Sequence, residues 1–192
     1  MERYRPHWME ESLAAGKVES FAQLRRSTSV PVATGERIYG RWEAHSCLRA
    51  GAVNVPRTDP EWCGGVSELT RIRALASIFD VRIIPHGHAL HAALHVVASQ
   101  SPTTCPLVEH LVLKVNSWHH LQKQPLVLAS ARIALPQRPG FGIKLDPAKV
   151  ESQSLLCWNW RRRASADLPM QRVGSGRNKS EPMNVMWEQR RT

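Results

Sequence analysis

The sequence of 192 residues predicts an α/β fold in which short strands alternate with helices. Several short β-branched runs end in an acidic residue or a histidine, and amphipathic helical patterns follow them. The polar ends lie 26, 23, 27 and 23 residues apart, about the length of one strand–helix unit with its loops. They are Glu10, Glu36, Asp59, His86 and Glu109. Units of this kind form parallel sheets with right-handed crossovers.

Each unit has its own strand and helix pattern. We predict strands at residues 7–10, 31–36, 52–56, 81–86 and 107–109. We predict helices at residues 19–27, 41–50, 66–79 and 89–99, the third with the clearest helical spacing of apolar residues. Gly51 suits the position just after the second helix. From residue 111 to 158 this alternation stops, and from 159 to 192 we expect an irregular, disordered tail.

Polar residues at the ends of successive strands favour a barrel with its site on one face. A doubly wound sheet usually carries a glycine-rich phosphate turn near its first strand, and none is present. Five strand–helix units are visible, whereas a full barrel needs eight. The sequence therefore predicts a partial (β/α) barrel.

Composition narrows the class of protein. No stretch approaches the length of a transmembrane helix and the charged N-terminus is no signal peptide, which favours the cytoplasm. The cysteines form no C-x-x-C pair and are predicted to be free thiols in a reducing compartment. The net charge is +10, and half of it lies in residues 159–192. A basic tail can bind nucleic acid or anionic lipid, but a solvated extension is the interpretation we favour.

Two pairs among the strand-end residues suggest chemistry. Glu10 and Glu36 could share a hard cation such as Mg²⁺, although such acids also cap helices or pair with a residue like Arg41. Asp59 and His86 could form a dyad in which the carboxylate fixes the tautomer of the imidazole. The alternative for an isolated histidine is a satisfied core or surface residue.

A separate histidine group, His88, His91 and His95, lies on one face of the helix predicted at 89–99. His91 and His95 could chelate Zn²⁺. No H-E-x-x-H motif or nearby cysteine pair accompanies them. We favour histidines that face solvent or support a neighbouring site.

Five short segments together suggest a known family. In chain order they are Trp8-Met9-Glu10-Glu11, Val32-Ala33-Thr34-Gly35-Glu36, Asp59-Pro60-Glu61-Trp62-Cys63-Gly64-Gly65, Pro85-His86-Gly87 and Pro139-Gly140-Phe141-Gly142. Their order and spacing, over residues 1 to about 158, resemble the C-terminal barrel domain of the enolase superfamily. The resemblance is to the mandelate racemase and muconate lactonizing enzyme branch, and within it to acid-sugar dehydratases of the rhamnonate and galactonate type.

The resemblance implies that residues 1–158 correspond to about strands four to eight of a (β/α)7β barrel. It implies that Glu10 and Glu36 are ligands of Mg²⁺, with a third ligand expected before residue 1. It further implies a catalytic His86–Asp59 dyad, and a Glu109 that hydrogen-bonds the enolate.

The function implied is that of a lyase that abstracts the proton α to a carboxylate of a sugar acid and eliminates water. Because the chain resembles only part of such a barrel, we expect little activity from it alone and self-association through exposed barrel edges. The alternative is a catalytically inactive fragment with at most an assembly or binding role. Arg57 stands where related sequences often have an uncharged residue, and a cation there could occupy the carboxylate of Asp59.

Overall fold

A computed structural model describes residues 1–156 and 184–189, with side chains up to residue 150. The chain divides into two compact units. One comprises Met1–His119 and Pro125–Ile143, and the other comprises His120–Gln124 and Lys144–Thr192. The predicted domain boundary at residue 158 lies outside the described residues and stays a prediction.

The first unit is organised around a small parallel sheet with the strand order β1-β2-β3. Its strands are β1 (Met9–Glu10), β2 (Val32–Thr34) and β3 (Val55–Pro56). Met9 pairs with Val32, and Ala33 pairs with Val55, both in parallel register. Every residue of β2 is buried, as expected of a central strand covered on both faces.

Helices connect and follow the strands, as the alternation predicted. They are α1 (Val18–Ser27), α2 (Arg41–Arg49), α3 (Val66–Ile78), α4 (Leu90–Ala98) and α5 (Val115–His119). The first four lie within one or two residues of the predicted ranges. Gly51 has a φ of 62°, and its N–H donates to the carbonyl of Leu48 at 3.0 Å, so it closes the end of α2 as predicted. The α/β class is confirmed.

The fourth and fifth predicted strands, at residues 81–86 and 107–109, do not form continuous strands in the described chain. The N–H of Ile84 donates to the carbonyl of Pro56 at 3.2 Å, and the N–H of Glu109 donates to that of Pro85 at 3.1 Å. The two segments therefore follow β3 in the order of a parallel sheet. Pro56, Pro85 and Pro106 carry no N–H, so the ladder between these segments is interrupted.

The core of the first unit lies between the sheet and the helices. The largest cluster of buried apolar side chains joins β2 to all of the first four helices. Its least exposed members are Val32, Ala52, Leu69, Ile72, Ala76 and Ile83. This packing fixes the sheet against α2 and α3, so the residues that follow each strand have defined positions.

The second unit contains an antiparallel pair of strands, β6 (Val150–Leu156) and β7 (Asn184–Gln189). A short hairpin in the first unit, β4 (Leu128–Ala129) with β5 (Arg132–Ile133), completes the strands of the described chain. Strand β7 lies within residues 159–192, for which a disordered tail is predicted, and that description of the tail stays a prediction. The rest of that tail lies outside the described residues. No helix among the described residues is long and apolar enough to cross a membrane.

Candidate functional site

All five predicted strand-end residues come together in the first unit, joined by ion-pair contacts. His86 lies within ion-pair distance of Asp59, Glu36 and Glu109. A sixth residue, Arg57, links Glu10 to Glu109. We call this group the strand-end cluster; it consists of Glu10, Glu36, Arg57, Asp59, His86 and Glu109.

Asp59 is the most enclosed carboxylate of the cluster, with none of its surface exposed. Its Oδ2 accepts from Nδ1 of His86 at 3.0 Å and from the N–H groups of His88 and Ala89 at 2.9 and 3.3 Å. Its Oδ1 accepts from the N–H of Glu61 at 2.7 Å. Four donors, two of them just before the N-terminus of α4, stabilise a buried charge that would otherwise be very costly.

The hydrogen bond to Asp59 fixes the orientation of the His86 ring, because Nδ1–H is the donor. The opposite nitrogen, Nε2, lies 3.3 Å from Oε2 of Glu36 and 3.5 Å from Oε2 of Glu109. Burial lowers the pKa of His86, but the hydrogen bond to Asp59 and the surrounding carboxylates outweigh it and raise that pKa above its ordinary value. The imidazole thus has one fixed nitrogen and one that faces the cluster.

Aromatic and polar neighbours limit the movement of His86. The ring of Trp62 is stacked beside it, with centroids 6.2 Å apart and planes at 27°. The side chain of His88 contacts the carboxylate of Glu61 and packs edge-on against Trp118. Glu61 and Trp62 belong to the segment that begins at Asp59, which the sequence analysis singled out. It did not predict that they would hold the histidines in place.

Glu109 is held beside the imidazole by backbone contacts. Its Oε2 accepts from the N–H of Gly87 at 3.2 Å, and its own N–H donates to the carbonyl of Pro85. A Cβ at residue 87 would collide with the backbone carbonyl of Glu109. Glycine after His86 is therefore required by close approach of two backbone segments, which explains the Pro85-His86-Gly87 motif physically.

Arg57 is 1% exposed and lies between two carboxylates. Its Nε is 3.3 Å from Oε1 of Glu10, and its Nη2 is 2.8 Å from Oε2 of Glu109. The expectation that Arg57 occupies the carboxylate of Asp59 is wrong, since its ion pairs are with these two glutamates. Burial raises the pKa of Glu10, and Arg57 and a hydrogen bond from Trp8 offset only part of that rise.

Glu36 faces the cluster from the end of β2. Its Oε1 lies 3.1 Å from Nε of the exposed Arg37, and its Oε2 faces His86. The alternative that a strand-end acid pairs with Arg41 is not what the structure has, because Arg41 binds Glu68 through two contacts of 2.7 and 2.6 Å.

The cluster does not fit a tight Mg²⁺ site. Both proposed ligands, Glu10 and Glu36, are already in contact with cationic side chains. Among residues 1–150, whose side chains the structure describes, no group of three His, Cys, Asp or Glu side chains is arranged to hold a metal ion. Mg²⁺ requires near-octahedral oxygen coordination, which two compensated carboxylates do not supply. The zinc alternative at His91 and His95 stays untested, and Nδ1 of His95 donates to the carbonyl of His91 at 2.8 Å.

Two neighbours of the predicted residues were missed by the sequence analysis. Nε1 of Trp8 donates to Glu10 at 3.0 Å. Oε1 of Glu11 accepts from Oγ1 of Thr34 and the N–H of Gly35 at 2.8 and 2.9 Å, which ties the end of β1 to the end of β2. Trp8 and Glu11 both belong to the Trp8-Met9-Glu10-Glu11 segment. The adjacent carboxylates of Glu10 and Glu11 were the sequence signal that could have pointed to Glu11.

Known proteins match most of the chain. The enolase C-terminal domain-like family matches residues 1–149. A D-galactonate dehydratase of Ralstonia pickettii (strain 12J) is 32% identical over 170 residues, which is 84% of this chain and 44% of that protein. A D-galactarolactone cycloisomerase of Agrobacterium fabrum is 31% identical over 150 residues, 72% of this chain and 39% of that protein. The chain thus spans less than half the length of these curated relatives.

Two solved structures are similar to this chain in fold. A mandelate racemase/muconate lactonizing enzyme-like protein from Roseovarius sp. TM1035 has a TM-score of 0.69 and 29% identity, covering 77% of this chain and 37% of that one. The L-talarate dehydratase of Polaromonas sp. JS666, complexed with Mg and L-glucarate, has a TM-score of 0.64 and 28% identity, covering 76% and 37%.

Proposed function

The chain belongs to the enolase C-terminal domain-like family, and on this premise we propose that its strand-end cluster is the proton-transfer part of an acid-sugar dehydratase site. The membership confirms the resemblance seen in the sequence. Relatives named D-galactonate dehydratase and L-rhamnonate dehydratase support a sugar acid as the class of substrate. The buried free thiols Cys47, Cys63 and Cys105 are consistent with the cytoplasm as the proposed location.

The observation that carries the proposal is the geometry of the Asp59–His86 pair. Asp59 holds Nδ1–H of the imidazole, so Nε2 is the nitrogen that exchanges a proton with a substrate. In the neutral ring, Nε2 accepts the proton α to the carboxylate of the sugar acid. The resulting imidazolium, stabilised by Asp59, returns that proton to the departing 3-hydroxyl, so the C–O bond breaks and water leaves.

Glu109 and Trp62 are proposed to line the substrate pocket on either side of this nitrogen. Glu109 is fixed by Gly87 on one side and Arg57 on the other, so its carboxylate cannot move away from His86 without breaking both contacts. Trp62 is stacked beside the imidazole and is proposed to limit the access of water to it. Exclusion of water favours proton transfer to substrate over exchange with solvent.

The 192-residue chain is expected to have little activity by itself. Removing a proton next to a carboxylate places negative charge on that carboxylate, and a cation must stabilise it. Mg²⁺ fills this role in the family, but the described residues do not form a tight site for it. Activity is therefore expected only when residues outside this sequence contribute further ligands.

A complementation assay tests the function. The part of the Ralstonia pickettii dehydratase that this chain does not match is supplied as a separate polypeptide, with Mg²⁺ in the buffer. Formation of the 2-keto-3-deoxy acid from D-galactonate and L-rhamnonate is then measured. We expect product with the mixture, none with either chain alone, and none with His86→Asn. The matched control is His45→Asn on α2, outside the cluster, which should keep the activity.

Three results would contradict the proposal or one of its parts. Absence of product from a mixture that demonstrably associates rejects the dehydratase function. Activity of the mixture that survives His86→Asn rejects the dyad. Turnover by the 192-residue chain alone rejects the requirement for a second polypeptide.

Self-association through sheet edges is also proposed. Strand β1 has one neighbour, β2, among the described residues, so its other edge offers unpaired N–H and C=O groups. Val112 and Leu113 are also largely exposed, close in sequence to the residues that follow β3 in the sheet. Light scattering of the chain alone should give a mass above that of the monomer. A monomer over a wide concentration range would contradict this.

One observation favours the alternative of a catalytically silent domain. Arg57 neutralises Glu10, the residue matched to a metal ligand, and a silent domain has no need of that ligand. The basic tail would then be the candidate for a binding role. The complementation assay separates the two, because a silent domain gives no product with any partner chain.

A further inference from the structure

A buried arginine in the middle of the strand-end cluster takes no direct part in the proposed proton transfer. Arg57 is 1% exposed, and an isolated guanidinium at that depth would be strongly destabilising. Its backbone N–H donates to the carbonyl of Thr34 at 3.0 Å, so the sheet itself positions the residue. A charge placed this firmly inside a cluster of carboxylates requires a physical explanation.

The guanidinium lies among groups that attract a cation from three directions. Glu10 lies 3.3 Å from Nε, and Glu109 lies 2.8 Å from Nη2. The Cζ atom of Arg57 lies 5.3 Å from the centroid of the Trp8 ring, and the indole N–H of Trp8 donates to Glu10. An arginine over an indole face gains a further cation–π attraction.

The contacts of Arg57 are ion pairs and lack the bidentate hydrogen-bond geometry that arginine often adopts with a carboxylate. Nε and Nη2 are buried and make no hydrogen bond of good geometry, although both lie at ion-pair distance from a carboxylate. The pairs of Arg41 with Glu68 differ, since both are true hydrogen bonds. Arg57 therefore acts on Glu10 and Glu109 mainly as a positive charge held between them.

We propose that Arg57 is the resident cation of the strand-end cluster: it supplies beside Glu10 the positive charge that a divalent ion would otherwise supply, and it pairs with Glu109 on its other side. The carboxylates at the ends of the sheet are compensated without a metal, and a divalent ion that approaches Glu10 meets the guanidinium. The described chain is consequently stable without a divalent ion and binds one weakly. The inference does not rest on the proposed dehydration, because its readouts are ion binding and stability.

The first test measures ion binding to the 192-residue chain. Mn²⁺ is the probe, followed by electron paramagnetic resonance and by calorimetry, with Mg²⁺ as competitor. Removing a positive charge within a few ångströms of Glu10 should tighten Mn²⁺ binding by at least about tenfold in Arg57→Gln. Arg57→Lys, which keeps the charge, should bind as weakly as the wild type. The double variant Glu10→Gln with Arg57→Gln should lose the gain.

The second test uses thermal unfolding in EDTA and in millimolar Mg²⁺. The midpoint of the wild type should be the same in both solutions. Arg57→Gln should unfold at a lower temperature in EDTA, because Glu10 and Glu109 lose their counter-charge, and Mg²⁺ should restore part of the loss. The control is Arg41→Gln, which breaks the ion pair with Glu68 outside the cluster. Its midpoint should not respond to Mg²⁺.

The proposal has clear ways to fail. Tight Mn²⁺ binding by the wild type that Glu10→Gln abolishes overturns it, and this measurement needs no Arg57 variant. Equal Mn²⁺ affinity in the wild type and in Arg57→Gln also overturns it. If Arg57→Gln does not fold in EDTA, its folding on addition of Mg²⁺ supports the proposal. If Arg57→Gln folds in neither solution and Arg57→Lys folds only with Mg²⁺, the proposal is contradicted, because the positive charge kept in Arg57→Lys should have made Mg²⁺ unnecessary.

Discussion

Two groups of charged residues in the first unit have similar chemistry and opposite environments. In the strand-end cluster, Arg57 and Asp59 are almost fully buried. In the second group, Glu68 on α3 accepts from Arg41 and Arg71, whose side chains are 41% and 58% exposed. The buried cluster cannot lose a member without leaving a charge or a donor without a partner, whereas water can replace either arginine of the second group. Burial therefore decides what an ion pair does for the fold.

The largest expected effect is that of removing Asp59. Asp59→Ala leaves the N–H groups of Glu61, His88 and Ala89 and the ring of His86 without their acceptor. Loss of a buried hydrogen-bonded charge costs about 3–5 kcal/mol. Urea unfolding monitored by tryptophan fluorescence measures the free energy. Glu68→Ala, in the exposed group, should cost clearly less, and equal losses would show that burial is not the deciding factor.

The next effect tests the backbone contact that positions the cluster. Gly87→Ala places a methyl group against the carbonyl of Glu109, and neither backbone segment can move without breaking the hydrogen bond from Glu109 to Pro85. We expect a loss of about 1–3 kcal/mol by overpacking. Gly65→Ala gives the comparison for backbone strain without a collision, because its φ of 89° is unfavourable for alanine although nothing lies near its Cβ. A Gly87→Ala variant as stable as the wild type would show that the two segments separate easily.

How much of the fold and of the strand-end cluster the sequence predicts depends on how far apart in sequence the interacting residues lie. Strand ends and their spacing are local in sequence, and they identified all five carboxylate and histidine members of the cluster. The partner of Arg57 was predicted wrongly, because Glu10 and Glu109 are far from it in sequence and only the packing of the sheet brings them near. Strand continuity failed at Pro85 and Pro106, where a missing donor overrides a β-branched run.

A pH series separates the two groups further. The pKa of His86 in the folded chain is raised, so the protonated ring contributes stability that is fully present below the ordinary pKa of about 6.5. That contribution is lost as the pH rises through the folded pKa. The free energy of unfolding of the wild type, minus that of His86→Asn, should therefore fall as the pH rises above about 6.5 in EDTA. A difference that stays constant would show that folding does not shift the pKa of His86.

The smallest expected effect has the opposite pH dependence. The hydrogen bond from Arg41 lowers the pKa of Glu68 to about 2, so its contribution is present above the ordinary carboxylate value of 4.5 and is lost as the pH falls toward 2. The stability difference between the wild type and Glu68→Gln should thus shrink on acidification, whereas that of His86 shrinks on alkalinisation. Because Arg41 and Arg71 are exposed, molar KCl should screen most of the Glu68 effect and leave the His86 effect largely intact. Parallel unfolding series at low and high salt measure both. Equal salt sensitivity would mean that water reaches the strand-end cluster as freely as it reaches α2 and α3.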